Sequence, residues 1–307
     1  MAFTGRTLIG DNVVVPVLVD AVSAAFPNNP SVFVRSGAMI QDLSFPPQYK
    51  GVKQVEVPTF ARMPEAVEVE DGTPVEPNKL TSSGEYADVR EFAIAFSLTD
   101  RSRSSQLGTY EEGGRQCMIS IAEKVDSRAL TQVRAASWLS DYTVDVFSAS
   151  TPVNFTSDTY IAARQKLGDV GWNEAPVMVA IHSDVMATMT RVRNASGTYD
   201  LVEEGPPGPD GMPMWLKLKP WGTAILVSDK LDKTLSGGKH KYESFVIWRD
   251  SIAVWLEASP SSEQERIAKV AADSIYMRQF GIVHPYARRP GKKTPGIVRC
   301  YTNAVTV

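Results

Sequence analysis

The strongest pattern in the chain runs from Val52 to Trp138. Over residues 52–69, Val55 and Val57, then Val67 and Val69, alternate with Glu56, Glu68 and Glu70. Further on, Phe92, Ile94, Phe96 and Leu98 alternate with Ala93, Ala95 and Ser97. Period-two alternation over such runs predicts half-buried strands. Between them lie the turn formers Asp71-Gly72-Thr73-Pro74 and Pro77-Asn78. The segment therefore reads as a long two-stranded excursion with a polar tip. A lone hairpin is marginal in water, so this one is expected to rest on something else, most simply a neighbouring subunit.

A helix follows. Thr109 and Glu112 have capping-box spacing. Met118, Ile121, Ala122, Val125, Ala129, Val133 and Ala136 then recur at intervals of three and four, one apolar stripe over about six turns. Gly113 and Gly114 cost the first turn ~1 kcal/mol each relative to alanine, which points to a close packing contact or a deformable helix start. Farther along, Thr156 or Ser157 is placed to cap a helix over 158–167 that stops at Gly168, and Ser183 to cap another carrying Val185, Met186, Met189 and Val192. Val177–Ile181, Ala224–Val227 and Phe245–Trp248 are continuous apolar runs and read as buried strands; Ile252, Val254 and Leu256 alternate. Residues 266–283 fit a strand (Val270, Ala272, Tyr276, Phe280, Ile282) and a helix (Ile267, Val270, Ala271, Ser274, Ile275) equally well. Ile297–Tyr301 is a short final strand. Residues 1–50 hold short apolar runs broken by Pro27, Pro30, Pro46 and Pro47, and read as an arm; Val13–Val19 suits a strand or part of a helix running to Phe26.

Composition narrows the function. The 307 residues suffice for one large domain or two ordinary ones, and 43% apolar residues are enough for a sizeable core. Lys plus Arg total 32 and Asp plus Glu 35, for a net charge of −3, unlike a generally basic nucleic-acid binder. No run of about 18 apolar residues is present to span a membrane. Residues 1–20 lack the charged start and small-residue cleavage site of a secretory signal. Cys117 and Cys300 read as two reduced thiols of a cytosol-made protein, with a structural disulfide as the minor alternative.

Motifs for catalysis are thin. His182, His240 and His284 have no HExxH or CxxC setting for zinc. No glycine-rich phosphate cradle and no GxSxG elbow occurs. His182-Ser183-Asp184 has the letters of a hydrolase triad, but triad members converge from separate parts of a fold; a strand end followed by a helix cap accounts for the three. The loop 205–211 matches two collagen triplets, and a triple helix needs many more. Charge is instead laid out for contact: Glu56, Glu65, Glu68, Glu70, Asp71 and Glu76 along the excursion, and Arg288, Arg289, Lys292 and Lys293 near the C-terminus. The carboxylates read as a solvated or intersubunit salt-bridge face, with metal or acid–base work the minor alternative; the basic group suits weak, salt-sensitive contact with phosphate and pairing with an acidic neighbouring subunit equally well.

The order of elements resembles the major capsid proteins of tailed bacteriophages, an α+β fold of the HK97 type that encapsulin shells share. The match is carried by Thr109–Ala136, with Ala122-Glu123-Lys124-Val125-Asp126, and by Pro176–Ser183 and Pro220–Ser228. The resemblance implies an N-terminal arm (1–50), an extended β-hairpin loop (51–100), a peripheral domain (101–150) with a spine helix at 109–137, an axial α/β domain (151–260) that includes strands within Phe245–Glu257, and a return to the peripheral domain (261–307). It favours strand over Arg266–Tyr286. It implies a non-enzymatic shell of hexamers and pentamers around double-stranded DNA, with no cofactor, no metal and no membrane. Implied partners are a separate scaffolding protein, to which a start at Met1 points, a portal and decoration proteins; the implied location is the virion, after synthesis in the host cytoplasm. Some members cross-link a loop lysine to a neighbour's asparagine, and Lys50, Lys53 and Lys79 hold comparable positions. The loop 194–215 is the candidate axial-pore segment. An encapsulin-type compartment is the alternative; a hydrolase using His182 and Asp184 is a more remote one.

Overall fold

The computed structural model describes residues 40–42, 51–60, 82–101, 109–191, 202–206, 216–218, 222–257, 261–267, 271–289 and 292–304. Two sheets and one long helix organise them. The helix, α1 (Thr109–Ala135), buries Met118, Ile121, Val125, Ala129 and Val133, the stripe visible in the sequence. The chain leaves the helix two residues short of the expected 137, and Ser137–Ser140 tightens into a 3-10 turn. The Glu112 carboxylate accepts from Arg115 and Gln116 on the following turn, and the Thr109 side chain of the expected capping box lies outside the described residues. Gly113 is a close-packing glycine, since a Cβ there would stand 2.5 Å from the Phe96 ring.

The first sheet contains β1 (Ile40–Asp42), β2 (Gln54–Phe60), β3 (Ser82–Thr99), β11 (Ile252–Leu256), β12 (Ser261–Ile267) and β13 (Ala272–Pro285). Its order is β1-β11-β13-β3-β2, with β12 on β13. Residues 266–283 fit strand and helix equally well by periodicity; they lie in two strands, β12 and β13, paired antiparallel from Ser261↔Arg278 to Ile267↔Ala272, so strand prevails in the described part. β13 pairs with β3 from Ala272↔Thr99 to Ile282↔Val89. Its other edge is shared by β12, up to Arg278, and β11, from Gly281. Gly281 packs closely there: a Cβ would stand 2.5 Å from the Leu256 side chain and 3.0 Å from the Trp255 carbonyl.

The second sheet runs β4 (Thr143–Asp145), β14 (Ile297–Thr302), β10 (Lys239–Ile247), β5 (Met178–Ile181), β8 (Thr223–Val227), β7 (Leu216–Leu218), β6 (Val202–Glu204), with β9 (Lys233–Ser236) on β10. Its central strands are apolar on both faces. Met178, Ala180, Phe245, Ile247 and Ile297 point into the core that α1 shares with the first sheet. Val179, Ile181, Val246, Val298 and Cys300 point into a second core under α2 (Ser157–Lys166) and α4 (Ser183–Arg191). Burial on both faces is why these strands read as continuous apolar runs rather than alternations. The short α3 (Asp169–Asn173) follows Gly168, whose φ of 62° suits glycine.

The chain passes between the two sheets at two further points. β11 lies in the first sheet, so the chain crosses between the sheets before residue 252, turning at Asp250 with a φ of 56°. Ser251 fixes that turn by donating to the Gly296 carbonyl at 2.9 Å. The final strand β14 then joins the second sheet, where Ile297–Thr302 pairs along Tyr242–Ile247.

Candidate assembly surface

The root of the excursion is built from β2 and β3, paired from Gln54↔Asp88 to Phe60↔Ser82. Alternation divides its faces. Val55, Val57 and Ala87 are buried against Ala253, Trp255, Ile282 and Tyr286 of the same chain. The hairpin root therefore finds its support within the subunit, where the sequence pointed to a neighbour. The other face is open. Glu56 lies there with its side chain across Gly84, where any Cβ would collide with it, and Tyr86 is 70% exposed. Glu65, Glu68, Glu70, Asp71, Glu76 and Lys79 fall outside the described residues, as do Lys50 and all of 1–50 except Ile40–Asp42.

Just beyond this root, a charged cleft of about 480 Å³ opens between β3 and α1, lined by Arg90, Glu91, Phe92 and Ala93 on one side and Lys124, Ser127, Arg128 and Thr131 on the other. Asp88 stands at its edge, accepting from Gln54 at 3.1 Å, Arg90 at 2.8 Å and Arg128 at 3.5 Å. The Gln54 bond and then the Arg90 bond hold the Asp88 carboxyl below its usual range. Burial, and then the nearby Arg90 guanidinium, lower the pKa of Arg128. Two guanidiniums thus share one carboxylate, a surface suited to further anionic groups. None of Tyr86, Arg90 and Arg128 was marked by the sequence. The usable signal was the continuation of β3's alternation upstream of Phe92, which places Tyr86, Asp88 and Arg90 on one side.

The basic group near the C-terminus divides in two. Arg289 is 3% exposed and donates to Glu174 at 2.9 Å and to the Arg249 carbonyl at 3.2 Å. Lys292 also bonds Glu174. These two cations are engaged within the chain, tying the loop after β13 to the segment after α3. Arg288 and Lys293 are exposed.

His182, Ser183 and Asp184 form a helix start. The His182 carbonyl accepts from Met186 at 3.0 Å, and its Nδ1 accepts from the Asp184 amide at 3.1 Å. The ring of His182 thus does the capping expected of Ser183, whose hydroxyl donates to Asp229 instead. Asp184 receives Lys233 at 2.7 Å and Tyr242 at 3.0 Å, and the Lys233 bond, outweighing burial, holds its carboxyl below the usual range. Cys117 and Cys300 are separate, buried thiols, and burial pushes Cys300 up to about 12. Among the described residues no helix is long and apolar enough to cross a membrane, and no three His, Cys, Asp or Glu converge as metal ligands.

No protein-family model matches the sequence, and no curated protein matches it. Its fold does match solved phage structures. A chain from Mycobacterium phage Adephagia superposes with a TM-score of 0.57 at 13% identity, covering 90% of this chain and 91% of that one. The capsid of Ralstonia phage GP4 gives 0.56 at 9% identity, with 88% of each chain covered. The capsid asymmetric unit of cyanophage Pam1 gives 0.55 at 12% identity, covering 88% of this chain and 90% of that one. The chain thus has the mixed α+β fold seen in phage capsids.

Proposed function

We propose that this chain is the major coat protein of a tailed bacteriophage, assembling through hexamers and pentamers into an icosahedral shell around double-stranded DNA. The observation that carries the proposal is the fold match along nearly the whole chain to phage capsid chains. In this reading the first sheet with α1 is the peripheral unit, the second sheet the axial unit, and residues 51–100 the extended loop.

The physics of assembly supports it. A shell subunit gains little from one flat contact and much from several modest ones acting together. The excursion carries a run of carboxylates, and the exposed Arg288 and Lys293, with the cationic cleft at Arg90, Lys124 and Arg128, are complementary surfaces for a neighbour. The net charge of −3 suits an interior that lets DNA slide. A separate scaffolding protein, a portal and decoration proteins complete the particle, which forms in the host cytoplasm and ends as the virion shell.

The test is negative-stain electron microscopy with size-exclusion chromatography, on the chain alone and with its scaffolding partner. Closed shells or six- and five-fold rings support the proposal. A monomer that persists with the partner present overturns it. Charge reversal at Glu68 and Glu70 is expected to abolish shells while leaving the monomer folded.

A further inference from the structure

The cleft between β3 and α1 holds more positive charge than its own carboxylates offset. Arg90 enters from β3, and Lys124 and Arg128 from successive turns of α1. Asp88 is shared by Arg90 at 2.8 Å and Arg128 at 3.5 Å, and also accepts from Gln54 at 3.1 Å. Glu91 borders the cleft, but Arg278 of β13 meets its carboxylate at 3.6 Å. Gln132 takes up part of the Arg128 guanidinium with a neutral amide oxygen, 2.7 Å from Nη2. Lys124 makes no hydrogen bond or ion pair among the described residues. Three cations thus face one shared carboxylate.

The walls add no free donors of their own. The Ser127 and Thr131 hydroxyls donate to the carbonyls of Glu123 and Ser127, both at 2.8 Å. Recognition is left to the two guanidiniums and the ammonium. Burial, and then the Arg90 guanidinium, lower the pKa of Arg128 in spite of Asp88, so an added anion relieves a repulsion already present. A carboxylate brings one charge and two oxygens, and a single guanidinium satisfies it. A phosphate brings more charge and more oxygens, enough to bridge both arginines and the lysine. The cleft volume of about 480 Å³ leaves room for the group that carries the phosphate.

We propose that this cleft binds a phosphate group, with Arg90 and Arg128 gripping its oxygens and Lys124 closing the open side. Asp88 is the built-in competitor: it orders the two guanidiniums and weakens their pull on an incoming anion. Three contacts make such binding weak and salt-sensitive. The inference stands on the geometry of the cleft and holds whether or not the chain builds shells.

Calorimetric titration of the full chain tests it. The probes are inorganic phosphate, a nucleoside monophosphate, a short single-stranded DNA and a peptide of residues 64–76. Saturable phosphate binding with a Kd of about 1 mM is expected at about 20 mM salt. Arg90→Gln, Lys124→Gln and Arg128→Gln should each weaken it about three- to tenfold. Arg115→Gln, on the same helix but outside the cleft, should leave it unchanged. Asp88→Asn should tighten it about three- to tenfold, a gain that misfolding does not produce. Should an arginine variant fail to fold, Lys124→Gln and Asp88→Asn decide the question. Tighter binding of the nucleotide or the DNA identifies nucleic acid as the source of the phosphate; affinity no greater than that of inorganic phosphate identifies the free ion. Absence of phosphate binding, unchanged affinity in Lys124→Gln and Asp88→Asn, or binding of the acidic peptide alone overturns the proposal.

Discussion

Arg134, one residue before the end of α1, grips Glu243 of β10 through two bonds to one carboxylate oxygen, Nη2 at 2.6 Å and Nε at 2.9 Å. Glu243 is 1% exposed, and among the described residues its other oxygen, Oε1, meets no hydrogen-bond donor. Arg134 also reaches Asp232 at 3.0 Å and the Lys230 carbonyl at 3.2 Å. This is a polar pin between the long helix and the second sheet, set beside the apolar core they share.

Removing one side of such a pin leaves a buried charge uncompensated. Arg134→Met is expected to cost about 3–5 kcal/mol. Arg134→Met with Glu243→Met should recover much of that loss, since replacing both partners avoids the stranded carboxylate. Urea denaturation of the two variants beside the wild type measures the difference. Equal stabilities for single and double variants would show that the pin contributes through packing alone.

A second prediction concerns acid. Burial tends to raise the Glu174 carboxyl, but the bonds from Lys292 and Arg289 outweigh it, so its pKa lies below the ordinary value. A depressed carboxylate contributes stability above its unfolded pKa and loses it as pH falls through the folded one. The wild type should therefore lose more stability than Glu174→Gln between about pH 5 and pH 3. At neutral pH the variant should be weaker by about 1–3 kcal/mol, because the enclosed Arg289 loses a charged partner. Urea midpoints at four or five pH values separate the two curves.

These two pins explain the limits of what the sequence could reveal. The stripe of α1, the alternation of β3 and the apolar runs of β5 and β10 were legible because each is set by local periodicity. Where Ile252–Leu256 and Ile297–Thr302 would pair was not legible: both have good strand patterns, and only the turn at Asp250 and Ser251 decides which sheet each joins. The charge reading met the same limit. Arg289 and Lys292 look like an exposed basic run, yet Glu174, 115 and 118 residues away, takes both. Acidic and basic groups for contact were visible by composition, whereas Tyr86 and the Arg90–Asp88–Arg128 cluster arise only when β3 is laid beside α1.

A third prediction contrasts two glycines that sequence alone treats alike. At Gly171 a Cβ would lie 2.0 Å from the backbone carbonyl of Arg164, which also donates to the Gly171 and Trp172 carbonyls through its side chain. Backbone cannot step aside, so Gly171→Ala should cost about 1–3 kcal/mol and loosen α3. At Gly113 the obstacle is the outer ring of Phe96, which is only half-buried and can turn. Gly113→Ala also gains helix propensity of ~1 kcal/mol, so its net effect should be small. Thermal melts of both variants decide it, and a larger loss at Gly113 would contradict the packing at the helix start.

Tyr86 separates folding from assembly. Its ring is 70% exposed on the open face of the hairpin root, while the opposite face is closed by Val57 and Ala87. A large, exposed aromatic on a supported strand is the kind of residue that dominates protein contacts once a partner covers it. Tyr86→Ser should therefore change monomer stability by no more than about 0.5 kcal/mol. Under the coat-protein reading, the same variant should raise the concentration needed for shell formation by about tenfold or more, as loss of a contact worth over 1.4 kcal/mol requires. Chemical denaturation gives the first quantity, and light scattering against protein concentration gives the second. Loss of monomer stability would mean that Tyr86 is part of the subunit's own packing. Unchanged assembly would show that no neighbour's contact depends on Tyr86.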